Sequence, residues 1–220
     1  MKYEAEYLKN NSDWHQSDAV FKAEWIAPYI QGQKIAEIGC GSGGILQSLS
    51  VRFPSKNFTG YEISKTAYDL FLENDNPNIQ YFNNDFFSNN KKYDQILAID
   101  LIEHLNDPFT FLINLKNYAN RFIFHIPLEF NFIYLFFNKH LDTYNQYGHL
   151  HFFDKDFILK ILENTGYSVD VWEFTPIALI KKEKNNKTKL LNSFRSILFR
   201  FNKELTVKLL GGYSLLCICR

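Results

Sequence analysis

Lys34-Ile35-Ala36-Glu37-Ile38-Gly39-Cys40-Gly41-Ser42-Gly43-Gly44 is the stretch on which the fold turns. A short apolar run ends in a cluster of glycines, and Ile45 to Val51 then reads as a helix, giving strand, glycine loop, helix. Glycines permit positive φ and let a ligand approach the backbone closely, at the opening of a helix whose amides point outward. A G-x-G loop alone is a weak signal, because such loops serve several nucleotides. Glu62 sharpens it: it ends the next apolar run, Asn57 to Glu62, about 20 residues on, where a carboxylate can accept both hydroxyls of a ribose. No Gly-Lys-Ser/Thr phosphate loop accompanies it, which argues against a kinase or NTPase.

Outward from this segment the rhythm continues. Ser64 to Glu73 reads as helix, Ile79 to Asn83 and Tyr93 to Ile99 as strands, Pro108 to Tyr118 as helix and Arg121 to Ile126 as strand. Strands alternating with helices predict an α/β fold with a mostly parallel sheet covered on both faces, its ligand at the carboxyl ends of the strands. Residues 1–30 read as a helical cover broken at Asn10 to Asp13, with Ser17 or Asp18 placed to cap its second helix. Leu128 to Tyr147 is aromatic-rich and irregular, the expected lid and substrate insertion, ahead of a helix at Asp154 to Thr165. Two further strands, Ser168 to Thr175 and Gly212 to Cys219, flank a basic amphipathic helix over 190–210. No linker or repeat divides the chain, so 1–220 reads as a single domain.

The composition narrows the function. Among 220 residues, 46% are hydrophobic, and 24 basic residues balance 24 acidic ones, so no positive field gathers nucleic acid. The three cysteines, Cys40, Cys217 and Cys219, have no disulfide or zinc spacing, which points to a reducing compartment, most simply the cytoplasm. Residues 1–10 carry Lys2, Glu4, Glu6 and Lys9 where a secretory peptide needs an apolar run. Phe122 to Phe137 is interrupted by His125, Pro127, Glu129 and Asn131, so no transmembrane segment is expected.

Glu37 to Gly43 resembles the first motif, E-x-G-x-G-x-G, of class I S-adenosylmethionine-dependent methyltransferases. The resemblance implies a Rossmann-like seven-stranded sheet with an antiparallel last strand. It also implies S-adenosylmethionine as cofactor and S-adenosylhomocysteine as product. Cofactor contacts would come from Glu37, Gly39, Cys40, Gly41 and Gly43. Tyr61-Glu62-Ile63 matches the family's second strand end, with Glu62 on the ribose and Ile63 on adenine. Asn84-Asp85-Phe86 matches the third, with Asp85 at the adenine amino group and Phe86 beside the ring. Tyr93 to Asp100, followed by Leu101-Ile102-Glu103-His104-Leu105-Asn106-Asp107-Pro108, is similar to the fourth strand and E-H-x-x-D-P turn of the small-molecule branch. Trp14-His15 with Asp18 and Lys22, His125-Ile126-Pro127-Leu128, and Gly148 to Phe153 with Asp156 resemble an uncharacterised bacterial methyltransferase-domain group. The likeness spans Trp14 to Arg220, except residues 128–146.

Methyl transfer from a sulfonium is an in-line displacement, so positioning supplies most of the catalysis and a base is needed only for a protonated acceptor. His125, His149, His151 and His104, all near the expected ligand edge, are the candidate bases, and Asp100 could orient cofactor or substrate. Glycine-loop, Glu62 and Asp85 positions can also be plain turn chemistry, and Glu103 and His104 can equally cap or fix a loop. His149 and His151, with His125 or Glu129, could ligate a metal, but two histidines define no geometry and no metal is expected. The expected activity is methylation at O or N of a small-molecule or glycan-type metabolite. The alternatives are a lipid or quinone methyltransferase docked peripherally through the basic helix, a non-catalytic cofactor-binding module and, more remotely, a dinucleotide oxidoreductase.

Overall fold

A computed structural model describes residues 16–72, 76–180 and 186–220. The first half of the expected helical cover, with Trp14-His15, lies outside the described residues, as does Lys181 to Asn185. In chain order the elements are α1 (Gln16–Ile26), β1 (Lys34–Ile38), α2 (Gly44–Arg52), β2 (Asn57–Tyr61), α3 (Lys65–Leu72), β3 (Ile79–Phe82), β4 (Gln95–Ile99), α4 (Pro108–Leu115) and β5 (Phe122–Pro127). They continue with α5 (Phe132–Phe136), α6 (Lys139–Tyr147), α7 (Lys155–Asn164), β6 (Val169–Thr175), α8 (Ile177–Ile180), α9 (Asn186–Phe201), α10 (Lys203–Leu210) and β7 (Ser214–Cys219).

The strands form one seven-stranded sheet in the order β3-β2-β1-β4-β5-β7-β6. β1 pairs in parallel with β2 and with β4, and β7 runs antiparallel to both β5 and β6. The strand order reverses between β1 and β4, which opens a crevice at their carboxyl ends, just where the glycine loop begins.

Two-residue alternation assigns each strand residue a face. Ala36, Ile38, Ile96, Ala98, Phe122 and Phe124 pack with Leu112, Ile158 and Leu162, whereas Ile35, Leu97, Ile99 and Ile123 pack with Ala23, Ile26, Leu46 and Leu49. By the same alternation Glu37 on β1 and His125 on β5 project toward α1 and α2. That face of α1 is not wholly apolar: its buried positions are Asp18, Ala19, Lys22, Ala23 and Ile26. Asp18 therefore does not cap the helix; it sits inside the first turns and pairs with Lys22 at 3.1 Å.

Two segments differ from their sequence reading. Residues 128–147 contain two short helices, α5 and α6, because Asn131 caps the first by accepting from the Tyr134 amide at 3.1 Å. Of the aromatics there, Phe130, Phe132, Phe136, Phe137 and Tyr144 are exposed. The helix expected over 190–210 is two helices, broken at Asn202, whose side chain accepts from the Leu205 amide at 2.9 Å and starts α10.

Candidate functional site

The glycine loop turns sharply at the end of β1. Gly39, Gly41 and Gly43 have φ of 68°, 54° and 77°, a region that disfavours any side chain. A Cβ on Gly43 would strike the Tyr81 hydroxyl and the Phe71 ring, so that glycine is needed for packing. Gly41 differs: nothing lies within 4 Å of where its Cβ would be, so its backbone faces open space. Gly39 and Cys40 both donate their amides to the Tyr61 carbonyl, at 2.8 and 3.2 Å, which ties the loop to the end of β2.

Glu62 follows directly. One carboxylate oxygen accepts from the Gly41 amide at 2.9 Å and the other from the Ser64 amide at 2.8 Å. Beside it Ile63 is 76% exposed, an apolar side chain facing outward at the loop's rim. Asp85 is exposed and accepts from the Phe87 amide at 2.7 Å, the turn-capping role open to it from sequence. Phe86 departs from expectation: it is buried and meets Tyr61 edge-on at 5.1 Å, which leaves little of its ring for a cofactor.

Behind the loop lies a buried charge network. Lys22 bridges Asp18 and Asp100, at 3.1 and 2.7 Å, and the second oxygen of Asp100 accepts from Nδ1 of His125 at 2.6 Å. Burial alone would lower the Lys22 pKa, but the carboxylates of Asp100 and Asp18 more than reverse this and raise it. Burial alone would raise Asp100; Lys22 and His125 override it and hold the carboxyl well below the usual range. Asp100 has φ of 50°, unusual for a non-glycine residue, and keeps 29% of its side chain exposed, so the network holds it at the crevice in a strained backbone state. Glu37 is buried, and burial pushes its carboxyl up to about 8, with Lys22 opposing and Glu62 and Asp100 reinforcing the shift.

The candidate histidines separate. His125 is 1% exposed, and its Nε2 lies 2.8 Å from Thr175 Oγ1 while Nδ1 serves Asp100. With both nitrogens engaged inside the protein it cannot take a proton from an acceptor in the crevice; it is a positioning residue, correcting its expected role as a base. His151 donates Nε2–H to the Leu105 carbonyl at 2.9 Å and fastens the segment after α6, with the lone pair of the ring on Nδ1. His149 donates Nδ1–H to Glu129 at 2.6 Å and meets the His104 ring edge-on at 4.8 Å.

His151 does not join His149 in a possible ligand cluster, the arrangement weighed against from sequence. His149 converges instead with Glu103 and His104, their possible ligand atoms all within 4.8 Å of one another. Glu103 is fully buried and neither carboxylate oxygen has a hydrogen-bond partner. Burial, then the charge of Asp100, pushes its carboxyl well above the usual range. Its own carbonyl accepts from the Leu150 and His151 amides at 2.8 and 3.1 Å, which stitches the turn after β4 to the segment after α6. Sequence reading named Lys22 beside Asp18 only within the resemblance and gave it no role, although a lysine four residues after Asp18 on the stripe of Ala19, Ala23 and Ile26 signals a buried ion pair.

A sheet of this order, with the glycine loop at its switch point and an acid ending the next strand, defines the class I methyltransferase fold. The family described as "Methyltransferase domain" matches residues 15–170, and the chain belongs to it. It is 29% identical over 108 residues to "N-methyltransferase 4" of Papaver somniferum, a match that covers 44% of this chain and 30% of that one. The chain thus spans about a third of that relative's length. Among solved structures, magnesium protoporphyrin IX methyltransferase from Synechocystis PCC 6803 with bound SAH is 16% identical, with a TM-score of 0.61 over 96% of this chain and 84% of that one. Coclaurine N-methyltransferase bound to N-methylheliamine and SAH is 15% identical, with a TM-score of 0.63 over 92% of this chain and 72% of that one.

Proposed function

We propose that the protein transfers the methyl group of S-adenosylmethionine to a nitrogen or oxygen of a small-molecule or glycan-type acceptor. The observation that carries this reading is Gly41: a positive-φ glycine facing open space, its amide held by the acid that ends the next strand. Glu62 would exchange its bonds to the loop for the ribose hydroxyls, Ile63 would cover adenine, and Asp85 would reach its amino group. Glu37 and Asp100 would face the cationic methionine end, and the cofactor's positive charge favours a site lined with acids. Two relatives named as N-methyltransferases support a nitrogen acceptor.

Nucleophile and methyl must meet in line, so the residues here bind, orient and exclude water rather than attack. Buried cysteines fit a reducing compartment, for which the cytoplasm is the simplest choice. Calorimetric titration of S-adenosylmethionine and S-adenosylhomocysteine tests the cofactor assignment without knowledge of the acceptor. No binding by folded protein would end it; binding with no product over a broad acceptor panel would instead favour the non-catalytic module.

A second reading concerns where the enzyme works. On α9 the buried positions are polar, Asn192 and Arg195, because the Arg195 guanidinium donates to the Leu210 carbonyl at 2.7 Å and closes the end of α10. Leu190, Phe194, Ile197 and Phe201 are therefore turned outward, among exposed Lys187, Lys189, Arg200 and Lys203. α10 packs on α5, whose Phe132, Leu135 and Phe136 are also exposed. No helix among the described residues is long and apolar enough to cross a membrane. An apolar face rimmed by lysines fits contact with an anionic membrane surface and an acceptor drawn from it. Co-flotation with anionic vesicles that salt reverses would support this; none at low salt would end it.

A further inference from the structure

We propose that Glu103, His104 and His149 form a binding site for one divalent cation of the zinc class. Three residues from two separate segments bring ligand-capable atoms within 4.8 Å of one another. The ligand atoms of a tetrahedral zinc stand about 3.4 Å apart, so shifts of about an ångström per side chain would close them on an ion. One carboxylate and two imidazoles suit zinc and its first-row neighbours better than calcium or magnesium, which prefer oxygen alone.

The surroundings are built for that purpose. A buried carboxylate is expected to have donors, yet both oxygens of Glu103 are fully buried without one. A cation would supply the missing partner. His149 gives Nδ1–H to Glu129, the carboxylate-to-histidine contact that fixes a metal-binding ring and leaves Nε2 as its ligand atom. Nδ1 of His104 lies 3.3 Å from the Gly148 carbonyl, which only accepts, so the lone pair of that ring also resides on Nε2. The amide bonds from Leu150 and His151 to the Glu103 carbonyl hold the two ligand segments together. Three protein ligands leave a coordination position for water or for an oxygen or nitrogen of the acceptor. That last role rests on the methyl-transfer reading; the cation site does not.

The test uses the tag-free full-length chain, stripped with a chelator and desalted, then titrated with Co2+ and with Zn2+. We expect one equivalent of Co2+ with a visible d–d band that Zn2+ abolishes, and a melting temperature that Zn2+ raises. Glu103→Gln, nearly isosteric, should weaken binding at least about 100-fold and abolish the thermal shift, and Glu129→Gln should weaken it about 10- to 100-fold. His140→Asn, outside the cluster, should leave it intact. Folded wild type that takes up no stoichiometric metal, or Glu103→Gln that binds like wild type, would overturn the proposal. Calorimetry with S-adenosylhomocysteine on the stripped protein separates the two readings. Cofactor binding without any metal uptake overturns the cation site alone, and metal uptake without cofactor binding overturns the methyl-transfer reading alone.

Discussion

Glu62 and Gly41 are joined by a 2.9 Å hydrogen bond in which the carboxylate accepts the loop amide. The contact holds the loop in register with the end of β2 and stations the acid at the rim of the open space. Hydrogen bonds to a charged group contribute about 1.5–3 kcal/mol each, so loss of two to a ribose corresponds to weakening of roughly 100-fold or more. Glu62→Ala should therefore abolish measurable S-adenosylhomocysteine binding by calorimetry while circular dichroism stays native. Retained affinity would remove Glu62 from the cofactor site.

Lys22 neutralises Asp100 and Asp18 together. Removing one partner of a buried pair costs about 3–5 kcal/mol, reduced here because Asp100 keeps 29% of its side chain exposed. Lys22→Met should lower the melting temperature by roughly 5–15 °C. It should also weaken cofactor binding, since Asp100 loses the contact that orients it. A double-mutant cycle with Asp100→Asn should give a coupling well above about 0.5 kcal/mol; strict additivity would show that the contact carries no weight.

Glu37 sets a pH dependence with a definite sign. Its folded-state pKa of about 8 lies above the ordinary glutamate value of 4.5, so between those values the native state holds a proton that the unfolded chain has released. The stabilisation is whole below the unfolded pKa and is lost as pH rises through about 8. Wild type should lose melting temperature relative to Glu37→Gln between about pH 5 and 8.5. Binding of a cationic cofactor should ionise Glu37 and release a proton, visible as a dependence of the calorimetric enthalpy on the buffer's ionisation heat. Parallel pH profiles of wild type and Glu37→Gln would refute this.

Thr175 holds Nε2 of His125. Thr175→Val keeps the shape and removes the oxygen, at a cost of about 1–3 kcal/mol for a buried group left without its partner. Chemical denaturation should record that loss, with S-adenosylhomocysteine affinity unchanged. A pH–rate profile whose acid limb shifted or vanished in this variant would restore His125 as a proton acceptor.

Phe194 and Phe201 are 54% and 84% exposed. Phe194→Glu with Phe201→Glu should change stability by no more than about 0.5 kcal/mol per site and abolish flotation with anionic vesicles. Unchanged flotation would move the contact elsewhere.

The alternation of strands and helices from β1 to β5 was legible because period-two apolar runs and glycine turns are local signals, and β1 begins and ends where Lys34 and Ile38 predict. The glycine loop after β1 was legible for the same reason. What escaped was set by distance in the chain. Nothing near His125 in sequence announces Asp100 or Thr175, which the parallel pairing of β4 with β5 and the return of β6 bring to it. Phe86 looked available because it follows a strand end, yet Tyr61 and Tyr118 claim its ring. Asn202 divides a run that reads as one helix, because a capping side chain outcompetes continuation of the backbone pattern.

The place of β7 between β5 and β6 governs assembly in time. Among the described residues β6 has its hydrogen-bonded neighbour only in β7, the strand that follows it at the far side of α9 and α10. On a chain emerging from the ribosome, β5 would present a bare edge until that strand arrives, a period of exposure to mispairing with other nascent chains. Thr175 rides on β6, so its contact with His125 depends on a pairing made with the last strand of the sheet in chain order. Removal of β7 would therefore leave β6 without that pairing and His125 without Thr175.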